Sequence, residues 1–199
     1  MLIARDWYKV WYDDSNNYGY ITDDGVYIPT VIFDVVIPEF IKNNVNDIIS
    51  LSYCGNERTV VGKGVEYLKG HAYNMPGFDS KLESIYFPKL SLSTIYTFAN
   101  NGNLRNATLK NISKANAGQT AFSNCINLEN LTIIDDVLGV TLYLYWSDKL
   151  TQECLHHLTE KYAGYTGSIQ LTFWIGEENI AKIDKAHKKI LEDKGINYK

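Results

Sequence analysis

A seven-residue segment recurs three times in the middle of the chain, and this near-repetition is the feature that most constrains the fold. Each copy begins with phenylalanine or leucine and ends with leucine six positions later: FANNGNL at 98–104, FSNCINL at 122–128 and LYWSDKL at 144–150. The final leucines, together with Leu82 one unit earlier, are 22, 24 and 22 residues apart. A period of this length indicates a small structural unit that buries its apolar edge only by stacking on its neighbours.

The residues after these leucines indicate the kind of unit. The first three are followed at the third and fifth positions by an apolar pair, namely Ile85 and Phe87, Ala107 and Leu109, and Leu131 and Ile133. The spacing L-x-x-L-x-L with a period of about 20 to 29 residues is typical of leucine-rich repeats, in which each unit contributes a strand and a turn. We therefore predict a β-rich α/β fold, a leucine-rich-repeat solenoid of about four units over residues 46–150.

The two ends of the chain lack the repeat and are predicted to be caps, because a terminal unit would otherwise expose core and strand edge. Residues 1–45 are rich in tryptophan and tyrosine; Asp24-Gly25 predicts a hairpin, and 31–37 predicts a buried strand. Residues 151–199 predict a helix after the N-cap Thr151, a strand at 168–173 and a helix from about 179 to Gly195. The N-terminal segment is a β cap, a docking segment for a partner, or both.

Two stretches of the sequence resemble a known family. The phrase TAFSNCINLENLTI at 120–133 is similar to the A-F-x-x-C-x-x-L-x-x-I-x-I unit of BspA-like leucine-rich-repeat proteins, and the tail from Leu150 to Lys194-Gly195 is similar to a common ending of those proteins. That ending usually has an aromatic residue after the glycine, where this chain has Ile196. The resemblance covers residues 70–199. It implies adhesion, as in surface proteins of gut and oral bacteria, or a structural role in their phages, with no catalysis and no cofactor.

Composition excludes several functional classes. The net charge of −4 leaves no basic surplus to neutralise phosphates, so we expect no nucleic-acid binding. No apolar run is long enough to span a membrane, and residues 1–7 lack the basic start of a secretory signal. The three cysteines, Cys54, Cys125 and Cys154, form neither a disulfide framework nor a metal-binding pair, and Cys125 is predicted to be a buried apolar filler.

The motifs that come nearest to metal sites are incomplete. The adjacent His156 and His157 point about 100° apart on a helix and cannot share one ion, so solvent-exposed side chains are expected. The oxygen donors from Asp13 to Asp24 are spaced as in a calcium loop, but the sixth loop position is Tyr18 instead of glycine. We therefore predict no catalytic residue, no cofactor and no metal ligand.

The candidate binding surface is the outward face of the predicted strands. Because strand side chains alternate between the two faces, the residues between the buried positions form a row. That row consists of Tyr86, Thr108, Thr132, Tyr143 and Gln170. A second row beside it consists of Ser84, Asn106 and Asn130. Aromatic, hydroxyl and amide groups suit contact with a protein or a sugar, and the alternative is a solvated sheet face without a ligand.

These observations favour a non-enzymatic structural or interaction protein. We expect a phage virion component of the tail, fibre or head that uses its repeats for protein or glycan contact; the alternative is an extracellular adhesin on a bacterial surface. An enzyme such as a glycan hydrolase would need a cleft with paired carboxylates, whereas acidic pairs such as Glu177-Glu178 fall in predicted turns and caps. The expected partners are other virion or cell-surface proteins, glycans, or a second copy of the chain.

The aromatic N-terminal segment generates a test of docking. Trp7, Trp11 and Tyr12 are predicted to anchor the chain to a second copy or to a larger assembly, because Trp and Tyr bury a large area at low entropic cost. Replacing all three by alanine should abolish that association while the repeats stay folded. Sedimentation velocity measures the association and circular dichroism the fold. Unchanged association of the variant would leave the segment as a cap only.

Overall fold

A computed structural model describes residues 57–68 and 80–199 in full. Before residue 57 it describes the backbone of five strands and the side chain of Asp34. In these parts of the chain the strands are β1 Leu2–Ile3, β2 Lys9–Tyr12, β3 Tyr18–Thr22, β4 Gly25–Tyr27, β5 Phe33–Ile37, β6 Glu57–Gly62, β7 Ser84–Leu92, β8 Asn106–Ile112, β9 Asn130–Ile133, β10 Leu142–Tyr143, β11 Thr172–Trp174 and β12 Asn197–Tyr198. The helices are α1 Ala115–Thr120, α2 Gln152–Ala163, α3 Glu177–Lys182 and α4 Lys185–Asp193.

A six-stranded sheet organises most of the chain. Its order is β1-β5-β6-β7-β8-β9, and every pairing in it is parallel. From β5 onward each strand pairs with the next strand in sequence. The apolar positions that the sequence singled out share rows across β7, β8 and β9: Ile85, Ala107 and Leu131 in one row, and Phe87, Leu109 and Ile133 in the other. This arrangement confirms a mixed α/β fold with parallel sheets.

Apolar side chains from successive strands and turns form one continuous core. Phe98 stacks between Phe87 and Phe122, with ring centroids 6.2 and 5.5 Å away, and all three rings are buried. Leu104 and Leu128, which close two of the sequence copies, are also fully buried. The predicted core positions are therefore confirmed.

Polar side chains that are 24 residues apart in sequence form hydrogen bonds with each other. Three such pairs are Asn124 Nδ2 to Asn100 Oδ1 (2.8 Å), Asn130 Nδ2 to Asn106 Oδ1 (2.9 Å) and Asn111 Nδ2 to Asp135 Oδ2 (2.6 Å). Asn100 and Asn124 both adopt a left-handed backbone, with φ of 62° and 60°. Asparagine tolerates this conformation better than most residues, so the type of residue fits both the turn and the bond.

The N-terminal strands agree with two local predictions. β3 and β4 pair antiparallel across Asp23 and Asp24, as expected for the hairpin, and β5 falls within the predicted strand at 31–37. β2, β3 and β4 form a three-stranded sheet of their own. The side chains of Trp7, Trp11 and Tyr12 and the oxygen donors of the calcium-like loop lie outside the described residues, so those predictions stand as they were.

The C-terminal region differs from its prediction in two places. Thr151 caps α2 by accepting a hydrogen bond from the Cys154 amide (3.1 Å), and Gly195 after α4 has the expected positive φ of 65°. The predicted single helix from 179 is instead two, because the chain is extended at Ile183 (ψ 124°), and Asp184 then caps α4. The predicted strand at 168–173 is displaced to β11, with Ile169 exposed.

Within residues 57–68 and 80–199, no helix has the length and apolar character needed to cross a bilayer.

The buried leucines give a stability test. Leu128→Ala should lower the free energy of unfolding by about 2–5 kcal/mol, because truncating a fully buried leucine loses burial and leaves a cavity. Ile126→Ala is the matched control, since that side chain is 48% exposed two residues earlier and should change stability by less than about 0.5 kcal/mol. Urea unfolding followed by circular dichroism measures both. Equal stability of the two variants would contradict the packing.

The described cysteines give a second test. Cys125 and Cys154 are free and buried, and burial raises the pKa of the Cys125 thiol to about 12 and that of Cys154 to about 11. Both therefore remain thiols at neutral pH, and the thiolate is the reactive form. Iodoacetamide at pH 7.5 should leave both unmodified in the folded protein and modify both in guanidinium chloride, as read by peptide mass spectrometry. Rapid labelling of either under native conditions would contradict this burial.

Candidate ligand-binding surface

The sheet brings three of the five predicted face residues into one row. Tyr86, Thr108 and Thr132 are direct neighbours on β7, β8 and β9. Tyr143 instead belongs to the separate parallel sheet β10-β11-β12, opposite Trp174. Gln170 precedes β11, and its side-chain amide donates to the Gly195 carbonyl. The predicted row is therefore present on three strands, and Tyr143 and Gln170 lie outside it.

The second predicted row is largely bonded within the protein. Asn130 donates to Asn106, and its own Oδ1 accepts from the Thr151 hydroxyl (2.8 Å). These amide groups already have partners, so the row serves mainly to hold neighbouring strands in register. The row of Tyr86, Thr108 and Thr132 stays a predicted binding surface.

Helix α2 covers the outer edge of β9 in an unusual way. The Leu131 amide donates to Cys154 Sγ (3.2 Å), and the Ile133 amide donates to His157 Nε2 (3.1 Å). Cys154 and His157 are three residues apart and therefore share one helix face. Burial lowers the pKa of His157, which favours the neutral imidazole that this bond requires. His157 is half-buried instead of exposed as predicted, because it terminates the sheet.

A concave surface lies beside the C-terminal sheet, and we call it the aromatic recess. Its volume is about 580 Å³. It is lined by Tyr145, Trp146, Asp148, Gly176, Glu177, Glu178, Ile180 and Lys199. The lining comes from the last sequence copy, from the start of α3 and from the residue after β12. Its parts are thus distant in sequence and are assembled by the pairing of the C-terminal strands.

Aromatic rings form the apolar part of the recess and of the surface behind it. Trp146 and Tyr145 meet edge to face with centroids 5.0 Å apart and are 53% and 43% exposed. Tyr143 lies behind them, 6.3 Å from Tyr145 and 5.8 Å from Trp174. Lys199 Nζ stands 4.9 Å above the Trp174 ring, a cation–π contact. Large aromatic side chains exposed side by side are uncommon on a surface without a ligand.

Carboxylates form most of the polar part of the aromatic recess. Asp148, Glu177 and Glu178 are all exposed, and among the described residues none of the three forms an ion pair. Aromatic faces bind the apolar C–H surface of a sugar ring, and carboxylates accept hydrogen bonds from its hydroxyl groups. An apolar concave surface with a few free polar groups is the usual form of a small-ligand site. The recess therefore has the chemistry of a glycan-binding site.

The sequence did not reveal the recess for a definite reason. Tyr145, Trp146 and Asp148 were assigned to a third copy of the repeat, where Trp146 occupies the position of Asn100 and Asn124. The signal was that substitution, because a tryptophan cannot continue the asparagine bonding pattern and here faces solvent. Among the described residues, one group of side chains could hold a metal ion, and none of its members lines the recess.

Comparison of the chain with protein-family models, with curated proteins and with solved structures gives no match.

Proposed function

We propose that this chain is a leucine-rich-repeat solenoid that acts as a non-enzymatic binding and structural protein, with a glycan held in the aromatic recess. Within that class we favour a phage virion component, and a bacterial surface adhesin is the alternative. Tail and capsid genes beside its own gene would favour the virion, and a longer reading frame with a secretory signal would favour the adhesin. The observation that carries the binding role is the exposed Tyr145–Trp146 pair beside three free carboxylates.

The repeat architecture is supported by contacts that recur at one spacing. Parallel strands pair in sequence order from β5 to β9, and side-chain bonds link residues 24 apart in both the asparagine pairs and the bidentate Arg58–Asp34 pair. A fold in which each unit contacts mainly its neighbours is what a solenoid requires. The phenylalanine stack through Phe98 supports the same proposal from the core side.

A glycan suits the recess better than a nucleic acid does. The recess carries three carboxylates and one lysine, and the whole chain is negative, so a phosphate backbone would be repelled. A neutral or cationic sugar meets no such repulsion, and a hydroxyl-rich ligand gives each carboxylate a donor. The row of Tyr86, Thr108 and Thr132 is a separate candidate surface for protein or glycan contact, and the experiment below distinguishes glycan binding there from glycan binding in the recess.

Trp146→Ala tests the recess. The full chain is screened on an array of bacterial surface oligosaccharides, and the affinity for the strongest binder is measured by isothermal titration calorimetry. Trp146→Ala should weaken binding about tenfold or more, since stacking area is lost while the exposed side chain contributes little to folding. Ile169→Ala is the control, because it removes an exposed apolar side chain outside the recess lining.

Other outcomes separate the alternatives. Loss of binding in Tyr86→Ala with full binding in Trp146→Ala would move the site to the strand face. Release of shortened oligosaccharide by the wild type, abolished in Glu177→Gln or Asp148→Asn, would make the protein a glycan hydrolase. Equal affinity of wild type, Trp146→Ala and Tyr86→Ala would contradict both binding surfaces.

A further inference from the structure

Two histidines and an aspartate lie close together where the helices α2 and α4 pack against each other. His156 lies on α2, Asp184 is the N-cap of α4, and His187 follows in the first turn of α4. The His187 Nδ1 atom is 2.8 Å from Asp184 Oδ1, and the His156 Nε2 atom is 3.6 Å from Asp184 Oδ2. One potential ligand atom from each residue lies within 4.8 Å of the other two.

The surroundings of the two rings are those of an incomplete polar site. The rings lie parallel, with centroids 3.6 Å apart and 7° between their planes. The His156 Nε2 atom is inaccessible to solvent and has no hydrogen-bond partner. A buried polar atom without a partner loses its hydrogen bonds to water and gains none in the protein, so such an atom in a native fold calls for an explanation.

We propose that His156, Asp184 and His187 bind a divalent transition-metal ion, with zinc as the expected ion, and that this ion joins α2 to α4. The proposal is independent of the glycan-binding function, because none of the three residues lines the aromatic recess. The ion would serve as a structural link between the helices that follow the repeats.

The donor set fits zinc. Imidazole nitrogen and carboxylate oxygen are ordinary zinc ligands at about 2.0–2.2 Å, and three protein ligands leave a fourth tetrahedral position to solvent. The rings are stacked in this structure, so binding of one ion by both nitrogens requires a change in their side-chain rotamers. The lone pair of His156 Nε2 would then have a partner.

Neighbouring groups prepare the site for a cation. The His187 amide donates to Asp184 Oδ1 (2.9 Å), and this bond holds the carboxylate beside the His187 ring. Glu160 Oε1 on α2 is 3.6 Å from His187 Nε2, the nitrogen that faces away from Asp184. A carboxylate on the second nitrogen orients a metal-binding imidazole and raises its basicity. Two negative groups thus flank two imidazoles, which favours a bound cation.

Zinc titration of the full chain after chelator treatment tests the site. Isothermal titration calorimetry should show one zinc ion per chain, and His156→Ala and His187→Ala should each weaken binding at least tenfold. Asp184→Asn should also weaken it, and asparagine still caps a helix, so α4 is retained. His157→Gln is the matched control, since it removes the adjacent histidine while keeping a hydrogen-bonding side chain near Ile133, and its affinity should equal the wild type.

A second readout locates the ion. In nuclear magnetic resonance spectra, zinc should shift the imidazole signals of His156 and His187 and leave those of His157 in place. Absence of binding to the wild type would overturn the proposal and leave the cluster as a hydrogen-bonded ion group. Binding that survives both His156→Ala and His187→Ala would also overturn it, since the ion would then be elsewhere on the chain. Loss of binding in His157→Gln with an unchanged melting temperature would move the site to the other histidine.

Discussion

The in-register parallel pairing of β7, β8 and β9 is the constraint on which the rest of the described structure depends. It aligns apolar residues with apolar residues and asparagines with asparagines at a nearly constant spacing. A shift by one residue would send each apolar side chain to the opposite face and would separate the amide pairs. Apolar burial and polar bonding therefore specify the same register, and such agreement between levels favours a single structure.

The same constraint creates a problem at the end of the sheet, where β9 would expose free amides. α2 solves it with side chains: Cys154 and His157 accept from the β9 backbone, and Thr151 joins the amide row through Asn130. Side chains of α2 and of its N-cap Thr151 thus accept and donate the hydrogen bonds that a further strand would otherwise form with β9. Because His157 faces the sheet, the adjacent His156 points elsewhere, and there it meets His187 of α4.

The polar groups of this protein fall into two classes with different consequences for function. Asparagines of the repeats donate to partners within the protein, as Asn130 does to Asn106 and Asn127 to the Gly102 carbonyl, so they have little left to offer a ligand. Asp148, Glu177 and Glu178 have no ion-pair partner within the described residues, and they stand beside exposed aromatic rings. Binding is expected where polar groups remain free next to apolar surface, which places the recess ahead of the amide row as a ligand site.

Local rules were enough for much of this fold. The leucine spacing predicted the buried rows on three strands, Asp24-Gly25 predicted the hairpin, and Thr151 and Gly195 predicted helix ends. Each of these signals depends on residues that are close in sequence. β6 was not predicted, because the charged residues Glu57 and Arg58 are typical of a loop. In the fold, Arg58 pairs with Asp34 on the neighbouring strand β5. The split of the last helix and the displacement of the last strand also depend on contacts with other elements.

The aromatic recess and the histidine cluster belong wholly to the tertiary structure. The recess joins residues 145–148 with 176–180 and 199, and the cluster joins positions about 30 residues apart on two helices. No periodicity in the sequence links these positions; the pairing of β10 with β11 and β12 and the packing of α4 on α2 bring them together. The sequence alone determined which strands could stack in register, and the path of the chain beyond them decided which side chains could act together.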